Sequence, residues 1–171
     1  MVYPIVKYGD PVLERPAAAV EEFDTPELHQ LIADMFESMY TAKGVGLAAP
    51  QIGISRRIAV IDCSFGEDET EKVVLINPQI VEVAGAQTEE EGCLSLPGFR
   101  EKVRRGRTAT ARAQDARGAF IEVSGNDLLA RALQHEIDHL HGKLYVAYVS
   151  ALKRDLIRRK VRKLVKAGEW G

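Results

Sequence analysis

The chain has only two cysteines, no long apolar run and almost no net charge. Two cysteines among 171 residues are too few for a disulfide framework. No stretch reaches the ~20 apolar residues of a membrane span, and the N-terminus lacks the basic head and apolar core of a signal peptide. We therefore expect a cytoplasmic protein whose cysteines stay reduced and which has no membrane partner.

The formal net charge of -2 conceals an uneven distribution of basic residues. Residues 153–166 carry eight basic side chains and one acid, a net charge of +7, and the rest of the chain is at -9. Apolar residues recur at helical spacing in this segment, and Ser150 can cap its N-terminus. We predict an amphipathic basic helix over about residues 150–167, which either packs on the acidic body or docks onto RNA.

The remaining pattern favours a single α+β domain spanning residues 1–171. One helix is predicted from Thr25-Pro26 to Gly44, and another from Ser124 or Asn126 to about His141, where Gly142 stops it. The second helix is expected to be central, packed against antiparallel strands through Leu128, Leu129, Ala132 and Leu133. The predicted strands are residues 57–62, 73–77, 79–83, 108–113, 120–123 and 144–149.

The second predicted helix carries the spacing of a catalytic metal site, H-E-x-x-H. His135 and His139 are four residues apart, so on a helix both imidazoles lie on one face and can bind a single ion. Glu136 lies beside the first histidine without having to be a ligand. A divalent ion with three protein ligands lowers the pKa of its water toward ~7, which a neighbouring carboxylate can exploit as a general base. The pattern indicates a hydrolase.

A third protein ligand has to come from elsewhere in the chain. A third histidine at position 145 is excluded, because that position holds Tyr145. Glu169 is the only glutamate after His139, and it lies in a terminal tail that is a poor place for a ligand. Cys93, in a segment shaped by glycine and proline, is the remaining soft ligand.

Three separate blocks of residues, in order along the chain, resemble those of the bacterial peptide deformylases. The start of the chain also resembles that family, so the resemblance covers essentially all residues. The blocks are residues 44–51 (GVGLAAPQ), 91–95 (EGCLS) and 134–142 (QHEIDHLHG), and the matching start is residues 8–13 (YGDPVL).

The resemblance implies hydrolytic removal of the formyl group from formyl-methionyl nascent peptides, with release of formate. It implies Cys93, His135 and His139 as metal ligands and Glu136 as the base that activates water and returns its proton to the leaving amine. The side-chain amide of Gln51 and the backbone N–H of Leu94 would stabilise the oxyanion. The implied substrate-binding residues are Val45, Gly46, Gly98, Leu128, Arg131 and Ala132, with Arg131 standing where an apolar residue would be usual.

The resemblance further implies ferrous iron as the metal, although a Cys-His-His site also suits zinc, and preparations can contain zinc or nickel. It implies docking of the basic C-terminal helix on the ribosome near the exit of the nascent chain. We expect a monomer.

Four other polar residues are expected to lie off the metal. His29 and His141 are predicted on the surface. Asp138 is predicted to face away from the metal, with Arg105 as its partner, and Glu91 is given a similar status.

Two other classes of function remain open from the residues alone. A general zinc peptidase would share the metal and the base but would cleave within unformylated peptides. A binding protein with a structural metal would need a fourth protein ligand and would have no use for Glu136.

Overall fold

Seven strands form two antiparallel sheets in the computed structural model, which describes all 171 residues. The strands are β1 (Gly46–Ala48), β2 (Ile58–Asp62), β3 (Lys72–Ala84), β4 (Gln87–Gly92), β5 (Arg100–Arg105), β6 (Thr108–Gln114) and β7 (Phe120–Asn126). Five of them make one sheet in the order β1-β2-β3-β6-β7, and β4 and β5 make a separate two-stranded ribbon.

Three α-helices accompany the sheets, and two of them begin at side-chain caps. They are α1 (Pro26–Thr41), α2 (Asp127–Leu140) and α3 (Ala151–Lys166). The Thr25 hydroxyl accepts from the N–H of Leu28 at the start of α1, and the Ser150 hydroxyl accepts from the N–H of Lys153 at the start of α3. None of the helices combines the length and apolarity needed to cross a membrane.

The main sheet is covered on both faces, one by α1 and the other by α2. Strand β2 shows this directly, because side chains alternate between the two faces of a strand. Ile58 and Val60 belong to the apolar cluster that contains α1, whereas Ala59 and Ile61 belong to the cluster of α2. Helix α2 is therefore held in the interior, where its histidine-bearing face can be fixed.

Helix α3 packs at one end of the molecule through a narrow apolar stripe. Ile157 and Val161 are buried in a third cluster with Tyr8, Leu13 and Leu96. The basic side chains of the helix lie mostly outside this contact and are exposed.

The expected fold class is confirmed, with corrections in detail. The predicted strand at residues 144–149 is wrong: Tyr145–Tyr148 is a 3-10 helix, and a short apolar run does not by itself distinguish the two. The runs at 73–77 and 79–83 are one strand, β3, with a register shift between Ile76 and Gln79. Leu128, predicted to help bury α2, is 47% exposed.

The ribbon of β4 and β5 was absent from the prediction. Its strands, Gln87–Gly92 and Arg100–Arg105, consist mainly of polar and charged residues, and half of their side chains are exposed. Such strands lack the apolar alternation on which strand prediction depends.

Two glycines that follow helices have similar backbone conformations but differ in how closely other atoms approach them. Gly142, after α2, and Gly168, after α3, have φ values of +79° and +70°. A Cβ at Gly142 would lie 2.7 Å from the carbonyl oxygen of Glu14, whereas a Cβ at Gly168 would meet nothing within 4 Å.

We predict that Gly142→Ala lowers the free energy of unfolding by about 3–4 kcal/mol, because it adds a clash with backbone to the cost of positive φ. Gly168→Ala should cost about 1–2 kcal/mol, from the positive φ alone. Urea denaturation of both variants measures the difference. Equal losses of unfolding free energy in the two variants would show that the backbone of Glu14 does not restrict position 142.

Candidate active site

The three predicted metal ligands lie together in the structure. Cys93 immediately follows β4, and His135 and His139 project from one face of α2. The Nε2 atoms of the two histidines are 3.1 Å apart, and the Cys93 Sγ lies 3.4 Å from the His139 Nε2. All three donor atoms lie within 4.8 Å of one another.

This donor set fits a tetrahedral divalent metal ion. Bonds of ~2.3 Å to sulfur and ~2.05 Å to nitrogen place tetrahedral donors about 3.3–3.6 Å apart, close to the two spacings in the structure. The group contains three protein donors and no fourth. Three ligands leave a coordination position open, as in catalytic rather than structural sites.

Glu136 lies beside the histidines and against bare backbone. It is buried, its Oε1 has no hydrogen-bond partner, and its Oε2 lies 3.8 Å from the His135 Nε2. Burial raises the pKa of Glu136 to about 7, since desolvation disfavours the charged carboxylate. A carboxyl group with such a pKa can accept and return a proton near neutral pH.

Only glycine fits at position 46, opposite this carboxyl group. A Cβ there would lie 2.6 Å from the Oε2 of Glu136 and 2.9 Å from its Cγ. The backbone of β1 therefore packs directly on the Glu136 side chain. This contact joins the block at residues 44–51 to the block at residues 134–142.

The two histidines differ in their affinity for protons. Burial lowers the pKa of His135, but Glu136, Cys93 and Glu91 outweigh it and hold that pKa well above its usual value. Burial and the charge of His135 hold the pKa of His139 well below its usual value. The surroundings thus favour one positive charge at the two imidazoles, and a metal ion held by these residues would supply that charge in place of the proton.

Glu91 fixes the orientation of His135 from behind. Its Oε2 accepts from the Nδ1–H of His135 at 2.6 Å, so the Nε2 of that ring is left to face the metal position. Glu91 also accepts from Arg105 at 2.7 and 3.1 Å and from Arg131 at 2.6 Å. Although burial raises the pKa of Glu91, these hydrogen bonds and charges outweigh it and hold the pKa far below its usual range.

The polar network continues from Glu91 to the surface. Arg105 donates to Asp138 at 2.7 Å, which agrees with the predicted partner of Asp138. Tyr148 also donates to Asp138, at 2.9 Å, and its ring lies under the Arg105 guanidinium. The contacts of Glu91 with His135 and Arg131 were missed from the sequence, because these partners are 44 and 40 residues away along the chain.

The amide of Gln51 is held close to Cys93. The Gln51 Oε1 accepts from the N–H of Ala48 at 3.0 Å, which directs the Nε2 toward the Ser95 hydroxyl at 3.2 Å and the Cys93 Sγ at 3.5 Å. The backbone N–H of Leu94 makes no hydrogen bond within the chain. The Leu94 N–H is thus free, and the Gln51 Nε2 lies within reach of the Cys93 Sγ.

A cleft of about 460 Å³ opens onto these groups. Gln51, Cys93, Leu94, His135 and Glu136 are among its lining residues. All six residues predicted to bind substrate also line it: Val45, Gly46, Gly98, Leu128, Arg131 and Ala132.

Arg131 lines the cleft, but its guanidinium forms hydrogen bonds within the protein. It donates to Glu91 and, at 3.0 Å, to the carbonyl oxygen of Val103. Arg131 is only 6% exposed. Its charge is therefore neutralised within the wall of the cleft, which explains how an arginine is tolerated at this position.

The two remaining histidines lie away from the site, as predicted. His29 is exposed on α1 and hydrogen-bonds Asp24 at 2.7 Å. His141 is exposed just after α2.

Comparisons with known proteins point to one family. The family model for polypeptide deformylase matches residues 2–155. A peptide deformylase of Acidobacterium capsulatum is 61% identical over 170 residues, which cover 99% of each chain. The crystal structure of a peptide deformylase from Legionella pneumophila has a TM-score of 0.90 and 46% identity, covering 98% of each chain.

A peptide deformylase from Synechococcus elongatus, in a crystal structure with actinonin, has a TM-score of 0.86 at 39% identity. That match covers 92% of this chain and 86% of the other. The chain therefore belongs to the peptide deformylase family, whose metal-dependent enzymes remove the N-formyl group from nascent polypeptides.

Proposed function

We propose that Cys93, His135 and His139 hold one divalent metal ion and that Glu136 is the general base of the deformylation. One observation carries the proposal: three soft donor atoms converge within 4.8 Å, next to a buried carboxylate oxygen that has no partner. A purely structural metal would leave Glu136 buried without a reason.

A divalent ion held by Cys93, His135 and His139 would supply a Lewis acid, which can polarise a carbonyl group and lower the pKa of water. Glu136 takes a proton from the water that adds to the formyl carbon, and the C–N bond then breaks. The same carboxyl group returns the proton to the leaving amine, so the products are formate and a free α-amine. Gln51 Nε2 and the Leu94 N–H donate to the oxygen on which negative charge develops.

The cleft binds the formyl-methionyl peptide on both sides of this centre. The methionine side chain contacts an apolar part of the wall, which consists of Val45, Leu128 and Ala132. These three residues line the same cleft as Glu136. The backbones of Gly46 and Gly98 bind the peptide main chain, where the absence of a side chain permits close approach. Arg131 contributes its alkyl stem to the wall while its head group stays on Glu91.

The resident metal is ferrous iron, with zinc or nickel as replacements in some preparations. The thiolate of Cys93 and two imidazoles suit all three ions, so ligand chemistry alone does not select among them. An iron–thiolate site is prone to oxidation, which favours replacement in air.

Helix α3 docks the enzyme on the ribosome in the cytoplasm, and the enzyme acts as a monomer. Ile157 and Val161 fix the helix on the body, and the basic side chains on its other faces remain exposed. A dense basic surface attracts the phosphates of ribosomal RNA. Docking through α3 brings the cleft near the formylated N-terminus of the nascent chain as that chain emerges from the ribosome.

We predict that Glu136→Gln retains metal yet lowers kcat for formate release about 10²–10⁴-fold, because the amide cannot accept the proton from water. The assay is formate release from a formyl-Met tripeptide by protein of measured metal content. Glu89→Gln removes an exposed carboxylate from β4 and is the matched control. A Glu136→Gln enzyme as active as the control would remove Glu136 from the reaction.

The two cysteines allow a matched test of metal binding. Cys93→Ala should weaken metal affinity about 100-fold or more, because it deletes one of three ligands. Cys63→Ala changes a half-buried thiol just after β2 and should bind metal as the unchanged protein does. Competition with a chelator measures both affinities, and equal affinities would exclude Cys93 as a ligand.

We predict that replacing Lys160, Arg162, Lys163 and Lys166 with glutamine reduces co-sedimentation with ribosomes about tenfold, because four exposed charges of the docking surface are lost. Hydrolysis of a short formylated peptide should not change. A control variant carries glutamine at four exposed arginines elsewhere: Arg104, Arg107, Arg112 and Arg117. Equal loss of binding in both variants would point to nonspecific attraction instead of docking through α3.

A further inference from the structure

Trp170, the only tryptophan of the chain, contacts a wall of the cleft from outside. It follows α3 and packs edge-on against Phe99, with ring centroids 6.0 Å apart and an interplanar angle of 77°. Phe99 itself lines the cleft. A residue far from the metal ligands in sequence thus reaches the cleft through one aromatic contact.

The backbone of Tyr8 joins Trp170 to the segment that follows the cysteine ligand. The indole N–H of Trp170 donates to the carbonyl oxygen of Tyr8 at 2.8 Å. The N–H of Tyr8 donates to the carbonyl oxygen of Ser95, also at 2.8 Å. The hydroxyl of Ser95 in turn accepts from Gln51. Residues 95–99 are thus held near both ends, by Tyr8 at Ser95 and by Trp170 at Phe99.

The middle of this segment is a turn, in which the N–H of Phe99 donates to the carbonyl oxygen of Leu96 at 3.3 Å. Pro97 and Gly98 are exposed, Gly98 has a φ of +84°, and a Cβ there would meet nothing within 4 Å. Leu96 is the only fully buried anchor between Ser95 and Phe99. No side chain packs over the exposed Pro97 and Gly98, so the contact of Phe99 with Trp170 adds support at the end of the turn.

The residue after Trp170 also lies on the N-terminal segment. A Cβ built on Gly171 would be 2.6 Å from the Cγ of Lys7. The tail is thus packed against the same segment that carries Tyr8, through Trp170 and through Gly171.

We infer that Trp170 is a positioning residue for substrate binding: by packing on Phe99 and bonding Tyr8, it holds the Pro97–Phe99 wall where the peptide binds. The inference rests on the proposed role of this cleft in binding the formylated peptide. Trp170 does not touch the metal ligands or Glu136, so it affects how tightly the peptide binds and leaves the chemical step unchanged.

Replacement of Trp170 separates positioning from a purely structural role. We expect Trp170→Ala to raise KM for a formyl-Met tripeptide about three- to tenfold, the effect of losing one edge-on aromatic pair, with kcat within twofold and metal content unchanged. Trp170→Phe keeps an aromatic ring and should recover most of the KM. A merely structural role would instead lower the folded fraction, which reduces apparent kcat at constant KM.

Two controls accompany the measurement of KM for Trp170→Ala. Phe120→Ala removes a 78% exposed aromatic side chain from β7, outside the cleft, and should leave KM unchanged. The unsubstituted protein is assayed in the same series. Absence of formate release there would overturn the proposed function, whereas normal release with an unchanged KM in Trp170→Ala would overturn only the present inference.

Fluorescence of Trp170 tests the contact in protein that keeps this residue. The formyl-Met tripeptide is added to metal-loaded Glu136→Gln protein, which should bind the peptide with little turnover. Because Trp170 is the only tryptophan and contacts the cleft wall, its emission should change saturably as the peptide fills the cleft. Binding of the peptide, shown by equilibrium dialysis, without any change in emission would overturn the inference.

Discussion

The buried carboxylate of Glu91 is the interaction on which the metal site depends. Burying a charge is costly unless it is paired and hydrogen-bonded, and Glu91 meets that condition with His135, Arg105 and Arg131. These partners come from α2 and β5, and Glu91 itself comes from β4. One charge therefore fixes the two-stranded ribbon to the central helix and, by binding the Nδ1–H of His135, sets which ring nitrogen faces the metal position.

This arrangement places the chemistry at the junction of three elements. The ribbon supplies Cys93 at the end of β4, α2 supplies two imidazoles and Glu136, and β1 supplies a glycine backbone that packs on Glu136. The sheet, covered by α1 on one face and α2 on the other, gives these elements a rigid support. Strand β1, at the edge of that sheet, meets the cleft directly because Gly46 has no side chain.

The cluster of proposed metal ligands was predictable from the sequence because most of its pattern is local. His135 and His139 lie on one face of any helix that includes both, and Cys93 lies in one of the blocks that resemble the peptide deformylases. The helices α1 and α3 were predictable for a similar reason, since Thr25 and Ser150 cap them and apolar residues recur along them.

The supporting shell was not predictable, because it consists of contacts between residues far apart in sequence. Glu91 and Arg131 are 40 residues apart, and nothing local distinguishes a buried glutamate in β4 from its exposed neighbours Glu89 and Glu90. The ribbon itself escaped prediction because its strands carry charge instead of apolar alternation. The 3-10 helix at Tyr145–Tyr148 has the composition of a strand, and only tertiary packing decides between the two.

The central claim is that this metal centre hydrolyses the formyl amide and no other bond of the peptide. The most direct measurement incubates anaerobically iron-loaded protein with a formyl-Met tripeptide and with its unformylated counterpart, and analyses formate and peptide fragments together. We predict stoichiometric formate and free amine from the first peptide, an intact Met tripeptide in both cases, and no reaction with the second. Cleavage within either peptide, or no formate from folded protein with full metal content, would contradict the account.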